Sequence, residues 1–195
     1  LYAEAAKFAQ VAELDEGDHL IGVAITDGKH DVMLFSDAGK AVRFEEDDVR
    51  PMGRQARGVR GMKIAEGQRV ISMLVADSES QTVLTATENG FGKRTPISEY
   101  TRHGRGTQGM IAIQTTERNG KVVGAVLVGD EDEIMLISTG GVAIRTSVKQ
   151  IREQGDMTNL VKKLSESGDV CAVIGHKWEY GCGVVGCLVI HGGSQ

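Results

Sequence analysis

Arginine and glycine are the residues whose spacing could do chemistry in this chain. Arginines stand at Arg43, Arg94 and Arg145, at a constant offset of 51 residues, and each follows a small residue two positions earlier, Ala41, Gly92 or Ala143. Two loops share the form Gly-Arg-x-x-x-Gly, running Gly53-Arg54-Gln55-Ala56-Arg57-Gly58 and Gly104-Arg105-Gly106-Thr107-Gln108-Gly109. A guanidinium is a fixed fork of donors that matches phosphate oxygens, and glycine lets a backbone N–H come close enough to join it. Such a set can hold a line of phosphates. It has no means of breaking a bond, because no Ser, His and Asp set or carboxylate pair recurs with it and Tyr100 has no catalytic company.

The surrounding charge is segregated. From Arg50 to Lys63 there are five basic residues, Arg50, Arg54, Arg57, Arg60 and Lys63, and no acid; Glu45 to Asp48 and Asp130 to Glu133 are purely acidic. Arg102 and His103 precede Arg105, and His103 reads either as a phosphate contact or as an exposed loop histidine. An isolated basic cluster is ordinarily a solvated loop. Recurrence in register argues for binding instead.

What positions these residues is a repeat. Val32 to Gly58 recurs without a gap as Val83 to Gly109, and a third copy begins at Ile134 and fails after Gly155. Each copy opens on a short apolar run, Val32 to Phe35, Val83 to Ala86 or Ile134 to Ile137, too short for a helix and rich in strand formers. A turn follows at Asp37-Ala38-Gly39, Glu88-Asn89-Gly90 or Thr139-Gly140-Gly141. The pattern predicts hairpins with strands near 32–36, 41–44, 82–87, 92–95, 134–138 and 142–146. Alternation places Val42 and Ile144 inward and the three arginines outward. Two more strand-like runs complete the unit, Val59 to Ile64 and Val70 to Val75 in the first copy, Met110 to Ile113 and Val122 to Val128 in the second. Four short strands at a period near 50 make an all-β, propeller-like array of about three four-stranded antiparallel blades.

Whole-chain properties bound the class. The 195 residues can bury a core, Gly at 26 residues suits many turns, and a net charge of −5 gives no argument for polyanion binding from the total. No leader is legible in Leu1 to Leu14, and the most apolar stretch, Gly181 to Ile190, has half the roughly 20 residues a spanning helix needs. Three cysteines confined to the tail, Cys171, Cys182 and Cys187, do not resemble a secreted disulfide framework, so a reducing cytoplasm is expected. Two G-x-G-x-x-G matches, at 104–109 and 181–186, lack the strand-then-helix context that gives the motif its mechanism. The spacing of His176, Cys182, Cys187 and His191 fits no common zinc arrangement. Neither a nucleotide nor a metal site is expected.

The runs DVMLFSDAGKAVRF, VRPMGRQARGVRGMKI, ENGFGKRTPISEY, GRGTQGMIAI and TERNGKVVGAV closely resemble the C-terminal domain of bacterial DNA gyrase A, over about residues 15 to 155. The resemblance implies a β-pinwheel whose blades exchange strands with their neighbours and whose basic rim wraps duplex DNA. It implies a non-catalytic part of an ATP-dependent type II topoisomerase that introduces negative supercoils in the bacterial cytoplasm, at the nucleoid. Its partners would be double-stranded DNA, the breakage-reunion part of the same polypeptide and the ATPase subunit, with no membrane. ATP and Mg2+ would act elsewhere in that enzyme, and no cofactor belongs to this chain. The related domain of topoisomerase IV, or a propeller-like protein-interaction module using the acidic runs, are the alternatives.

Departures accompany the matches. The family's basic box QRRGGKG has no counterpart, and the third loop reads Gly155 to Leu160 with Asp156 where Arg54 and Arg105 stand. Helical spacing appears at Leu1, Ala5, Phe8 and Ala12 and across Asn159 to Ser167. The chain thus divides into an irregular or helical segment 1–16, blades over 17–155 and a divergent tail 156–195 read as an incomplete further blade. The candidate DNA contacts are Arg43, Arg54, Arg57, Arg60, Lys63, Lys93, Arg94, Arg102, His103, Arg105, Arg145, Lys149 and Arg152.

Overall fold

The structure, a computed structural model, describes residues 19, 21–22, 24, 26, 28–50, 58–151, 158–159 and 169–176. The helix expected over 1–12 lies outside these residues, as does that over 159–167 except for Asn159, which is in a strand.

All three expected hairpins are present. They are β1 (Asp31–Ser36) with β2 (Lys40–Glu45), β4 (Thr82–Thr87) with β5 (Phe91–Pro96), and β8 (Glu133–Ser138) with β9 (Ala143–Ser147). Their turns are closed by hydrogen bonds from Gly39 N to Ser36 O, Gly90 N to Thr87 O and Gly141 N to Ser138 O, each 3.0 Å. These glycines have φ of 79°, 74° and 80°, a region costly for any residue with a Cβ. The short 3-10 turns after the second and third hairpins, Ile97–Glu99 and Val148–Gln150, each drive one apolar side chain inward, and Ile97 and Val148 are fully buried; the turn after the first, Glu46–Asp48, is acidic and buries none.

The remaining strands are β3 (Val70–Ala76), β6 (Met110–Ile111), β7 (Val122–Val128), β10 (Thr158–Asn159) and β11 (Val170–His176). They assemble three antiparallel sheets in the orders β3-β1-β2-β6, β10-β5-β4-β7 and β11-β8-β9. A blade is therefore not built from one repeat. The second repeat sends β6 back to the first sheet, where Met110 pairs with Ala41, and the third sends β10 back to the second, where Thr158 pairs with Gly92. Thr158 arrives three positions before the regular offset from Met110 requires (158 against 161), so the altered third loop is shortened yet still delivers its strand. Val59 to Ile64, expected as a strand, makes only an isolated bridge from Met62 to Thr107. In the tail, Val170–His176 is an edge strand of the third sheet, paired along β8.

The core lies between sheets. Met33, Phe35 and Leu74 of the first sheet pack with Val83, Val122 and Ala125 of the second and with Ile97 and Tyr100. Leu84, Val123 and Val126 of the second pack with Ile134, Leu136 and Val173 of the third. Strands of neighbouring sheets approach closely: Ala125 N donates to the buried Ser72 Oγ at 3.0 Å, and a Cβ on Gly124 would stand 2.7 Å from Val173 Cγ1. Fully burying each of these large aliphatic side chains contributes roughly 1.5–3 kcal/mol. Blades thus hold one another, and β4 is buried along its whole length.

Candidate nucleic-acid interface

The repeated hairpin arginines do not all point outward as alternation suggested. Arg43 and Arg94 are each 5% exposed, whereas the third, Arg145, is 57% exposed. Alternation separates inside from outside only when one sheet face meets water. Here stacking covers both faces of the middle strands, so the outer face of the hairpin becomes the inter-blade seam.

Arg43 is bound on every side. Its Nε donates to Asp31 Oδ2 at 2.6 Å, and Nη1 donates to the carbonyls of Ile97 (2.9 Å) and Tyr100 (3.1 Å) and to Glu79 Oε2 (3.2 Å). Nη2 reaches Glu79 and Asp31. Arg94 repeats the arrangement with Thr82 Oγ1 at 3.0 Å and Asp130, and Arg145 pairs with Glu133. Each side-chain partner lies 12 residues before its arginine or 36 after it, so one device recurs with the repeat. Hydrogen bonding from Arg43 holds the Glu79 carboxyl below the usual carboxylate range, and Arg94 does the same to Asp130. Burial pulls the Arg43 guanidinium down, but the bonds to Glu79 and Asp31 more than offset it. The phenol of Tyr100, edge-on to Phe35 at 5.9 Å, is pushed up to about 12 by burial. The signal was in the sequence, since Asp31 and Glu133 share one register position and Glu79 and Asp130 another.

Arg43 also anchors the rim. The carbonyls it holds close the 3-10 turn before the loop 101–109, and its own carbonyl accepts from His103 N at 2.8 Å. Within that loop Gly106 N donates to Gly61 O at 2.6 Å, and Lys63 N donates to Thr107 O at 2.8 Å. Arg105 Nε donates to Asp48 O at 2.8 Å. Two successive rim loops are thereby zipped backbone to backbone.

The other candidate cations fall into two groups. Arg102 is half-exposed but bound to Asp31 (2.9 Å) and Glu45 (3.2 Å), and Lys149 is bound to Glu131 (2.6 Å). Arg60, Lys63, Lys93 and Arg105 have no carboxylate partner among the described residues, and all but the half-buried Lys93 are exposed. Lys40, which the spacing of the repeat did not single out, is half-buried like Lys93 and also has no carboxylate partner among the described residues. Arg54, Arg57 and Arg152 lie outside the described residues. Four carboxylates of the acidic runs are paired with cations of the chain at its surface, Glu45 with Arg102, Asp130 with Arg94, Glu131 with Lys149 and Glu133 with Arg145. Among the described residues no group of three or more His, Cys, Asp or Glu could hold a metal, and no helix is long and apolar enough to cross a membrane.

Comparison with known proteins agrees with this architecture. The family described as DNA gyrase C-terminal domain, beta-propeller, matches residues 30–77, 81–128 and 132–157, one segment per repeat. The DNA gyrase A polypeptide of Pseudomonas aeruginosa is 54% identical over 157 residues, covering 80% of this chain and 17% of that protein. Its counterpart from Escherichia coli K12 is 50% identical over 146 residues, covering 75% and 17%. The chain spans about a sixth of the curated relatives it matches. Among solved structures, the C-terminal domain of DNA topoisomerase IV superposes with a TM-score of 0.80 at 26% identity, covering 85% of this chain and 52% of that one. The DNA gyrase A C-terminal domain superposes with a TM-score of 0.73 at 28% identity, covering 87% and 59%.

Proposed function

Because this chain belongs to the DNA gyrase C-terminal domain family, and so is an accessory, non-catalytic domain of a type II DNA topoisomerase, we propose that it binds duplex DNA along its rim without sequence preference and bends it. The observation that carries this reading is the sorting of cations. Arginines in the seam are consumed by acids and carbonyls, while Arg60, Lys63 and Arg105 have no carboxylate partner among the described residues and stand on loops locked to one another. A row of such cations on a rigid curve releases counterions from the phosphates it meets. Bending 20–30 base pairs through 40–90° costs on the order of 1–6 kcal/mol, which several phosphate contacts can offset. No recognition helix is present among the described residues, so contacts fall on the backbone of the duplex and carry little sequence information.

In the assembled enzyme this bending would present a second duplex segment to the breakage-reunion part of the same polypeptide. The ATPase subunit would supply the energy, with ATP and Mg2+ bound there and not on this chain. A bacterial cytoplasm is the compartment this implies. Kinship in sequence favours gyrase over topoisomerase IV, since the curated relatives it matches at 54% and 50% identity are DNA gyrase A polypeptides. Pairing of Glu45, Asp130 and Glu131 with cations of the chain itself speaks against those carboxylates forming a protein-interaction surface.

Equilibrium binding to a mixed-sequence duplex across a salt series tests the reading. With four to five phosphates neutralised, log K should fall against log salt with a slope near −4. A flat salt response would overturn it.

A further inference from the structure

A cavity of about 190 Å³ opens where the second repeat's strand docks on the first sheet, lined by Lys40, Lys63, Ile64, Ala65, Gln68 and Gln108. Two lysines line it, neither has a carboxylate partner among the described residues, and no acid lines the space. Like charges brought together in this way repel unless an anion joins them. Gln108 adds amide donors, and Gln68, whose Oε1 accepts from Ala65 N at 3.2 Å, keeps its own NH2 available.

The walls are fixed before any ligand arrives. Lys40 pairs with Ile111 across the exchanged strand, and Lys63 N is held by Thr107 O. Gly39 and Gly109 make the docking possible, since a Cβ at either would stand 2.0 or 2.2 Å from the carbonyl oxygen of Ile113 or Ala41. The second junction lacks the feature: Phe91 and Gln114 occupy the positions of Lys40 and Lys63, and Arg118 lies over the Phe91 ring at 5.0 Å.

We propose that this cavity is a seat for a single phosphodiester of bound duplex DNA, with Lys40 and Lys63 sharing its charge and Gln68 and Gln108 donating to its oxygens. The proposal rests on the DNA-binding reading above and gives it a fixed point, one per chain, at the junction of the first two blades. Free phosphate has the same chemistry, and the test separates the two.

Binding of a mixed-sequence duplex is measured across a salt series for the 195-residue chain and for Lys40→Gln, Lys63→Gln and the double variant, with thermal unfolding as the folding control. If one phosphate is shared, the double variant loses about 0.9 from the slope and the single losses do not add. Slopes unchanged in all three variants overturn the seat, and a double loss near twice that value replaces it with two independent contacts. A flat response in the unaltered chain would instead defeat the DNA-binding reading itself. Independently, amine-reactive labelling of the unaltered protein should find Lys40 and Lys63 protected by duplex DNA and not by inorganic phosphate at equal ionic strength. Protection by inorganic phosphate alone would make it a free-anion site and overturn the assignment to DNA.

Discussion

Arg43 has five N–H donors, and the fold supplies acceptors from three separate segments: Asp31 on the paired strand, Glu79 on the linker, and the carbonyls of Ile97 and Tyr100 in the next repeat. Replacing it by methionine keeps much of the stem but leaves the buried Asp31 with only Arg102 as a cationic partner among the described residues. The expected loss in urea unfolding is about 3 kcal/mol. For Arg145→Met, whose pair with Glu133 is exposed, it is below about 1 kcal/mol. Equal losses would show that burial does not distinguish the three. The same seam has a pH signature. A carboxylate whose folded pKa is depressed contributes stability that is present above its unfolded pKa and lost as pH falls through the folded value. Glu79 is such a group, with hydrogen bonding from Arg43 the leading cause, so part of the blade-to-blade stability should disappear below about pH 4. Glu79→Gln should flatten the acid limb of a stability profile; an unchanged limb would remove Glu79 from that account. The 51-residue recurrence of the arginines was plain in the sequence. Their direction was misread because strand alternation says which residues share a face, not whether that face meets water.

Hairpins were legible because their determinants are local: apolar runs such as Ile134 to Ile137, and a glycine where the turn needs positive φ. Strand exchange was not legible from the residues themselves and came only with the family resemblance. Met110–Ile111 and Thr158–Asn159 are two residues each, too short to carry a period, and nothing in their composition says which sheet receives them. What marks the docking is glycine at close approach. At Gly109, φ is 70° and an added Cβ would stand 2.2 Å from Ala41 O, a backbone atom that cannot swing away. At Gly67, φ is 77° and nothing lies within 4 Å. Gly67→Ala should therefore cost only the left-handed penalty of about 1–2 kcal/mol. Gly109→Ala should cost clearly more and should raise hydrogen exchange in β2, because β6 can no longer seat. Similar costs for the two would mean that the exchange tolerates displacement and that these glycines serve the turn alone.

At the scale of the molecule, a chain of net charge −5 is proposed to hold a polyanion, and the total conceals how its charges are used. Lys149 and Arg102 are exposed, as Arg60 and Arg105 are, so exposure alone would assign all four to DNA. Pairing separates them, because a cation already beside Glu131, or beside Asp31 and Glu45, presents little net potential to a phosphate and must give up its partner to bind one. Arg105 meets the carbonyls of Asp48 and Arg60, which leave its charge uncancelled, and Arg60 has no carboxylate partner among the described residues. Changing Arg60 and Arg105 together to glutamine should weaken duplex binding by about 3 kcal/mol, at roughly 1.5 kcal/mol for each lost bond to a charged group. It should also diminish any signed linking-number change the protein imposes on relaxed circular DNA, since a shortened cationic track constrains less curvature. Lys149→Gln should alter both quantities little. If it weakens binding as much as either rim arginine does, carboxylate pairing is not what sorts the cations, and the interface extends over the acidic loop at Asp130 to Glu133 as well.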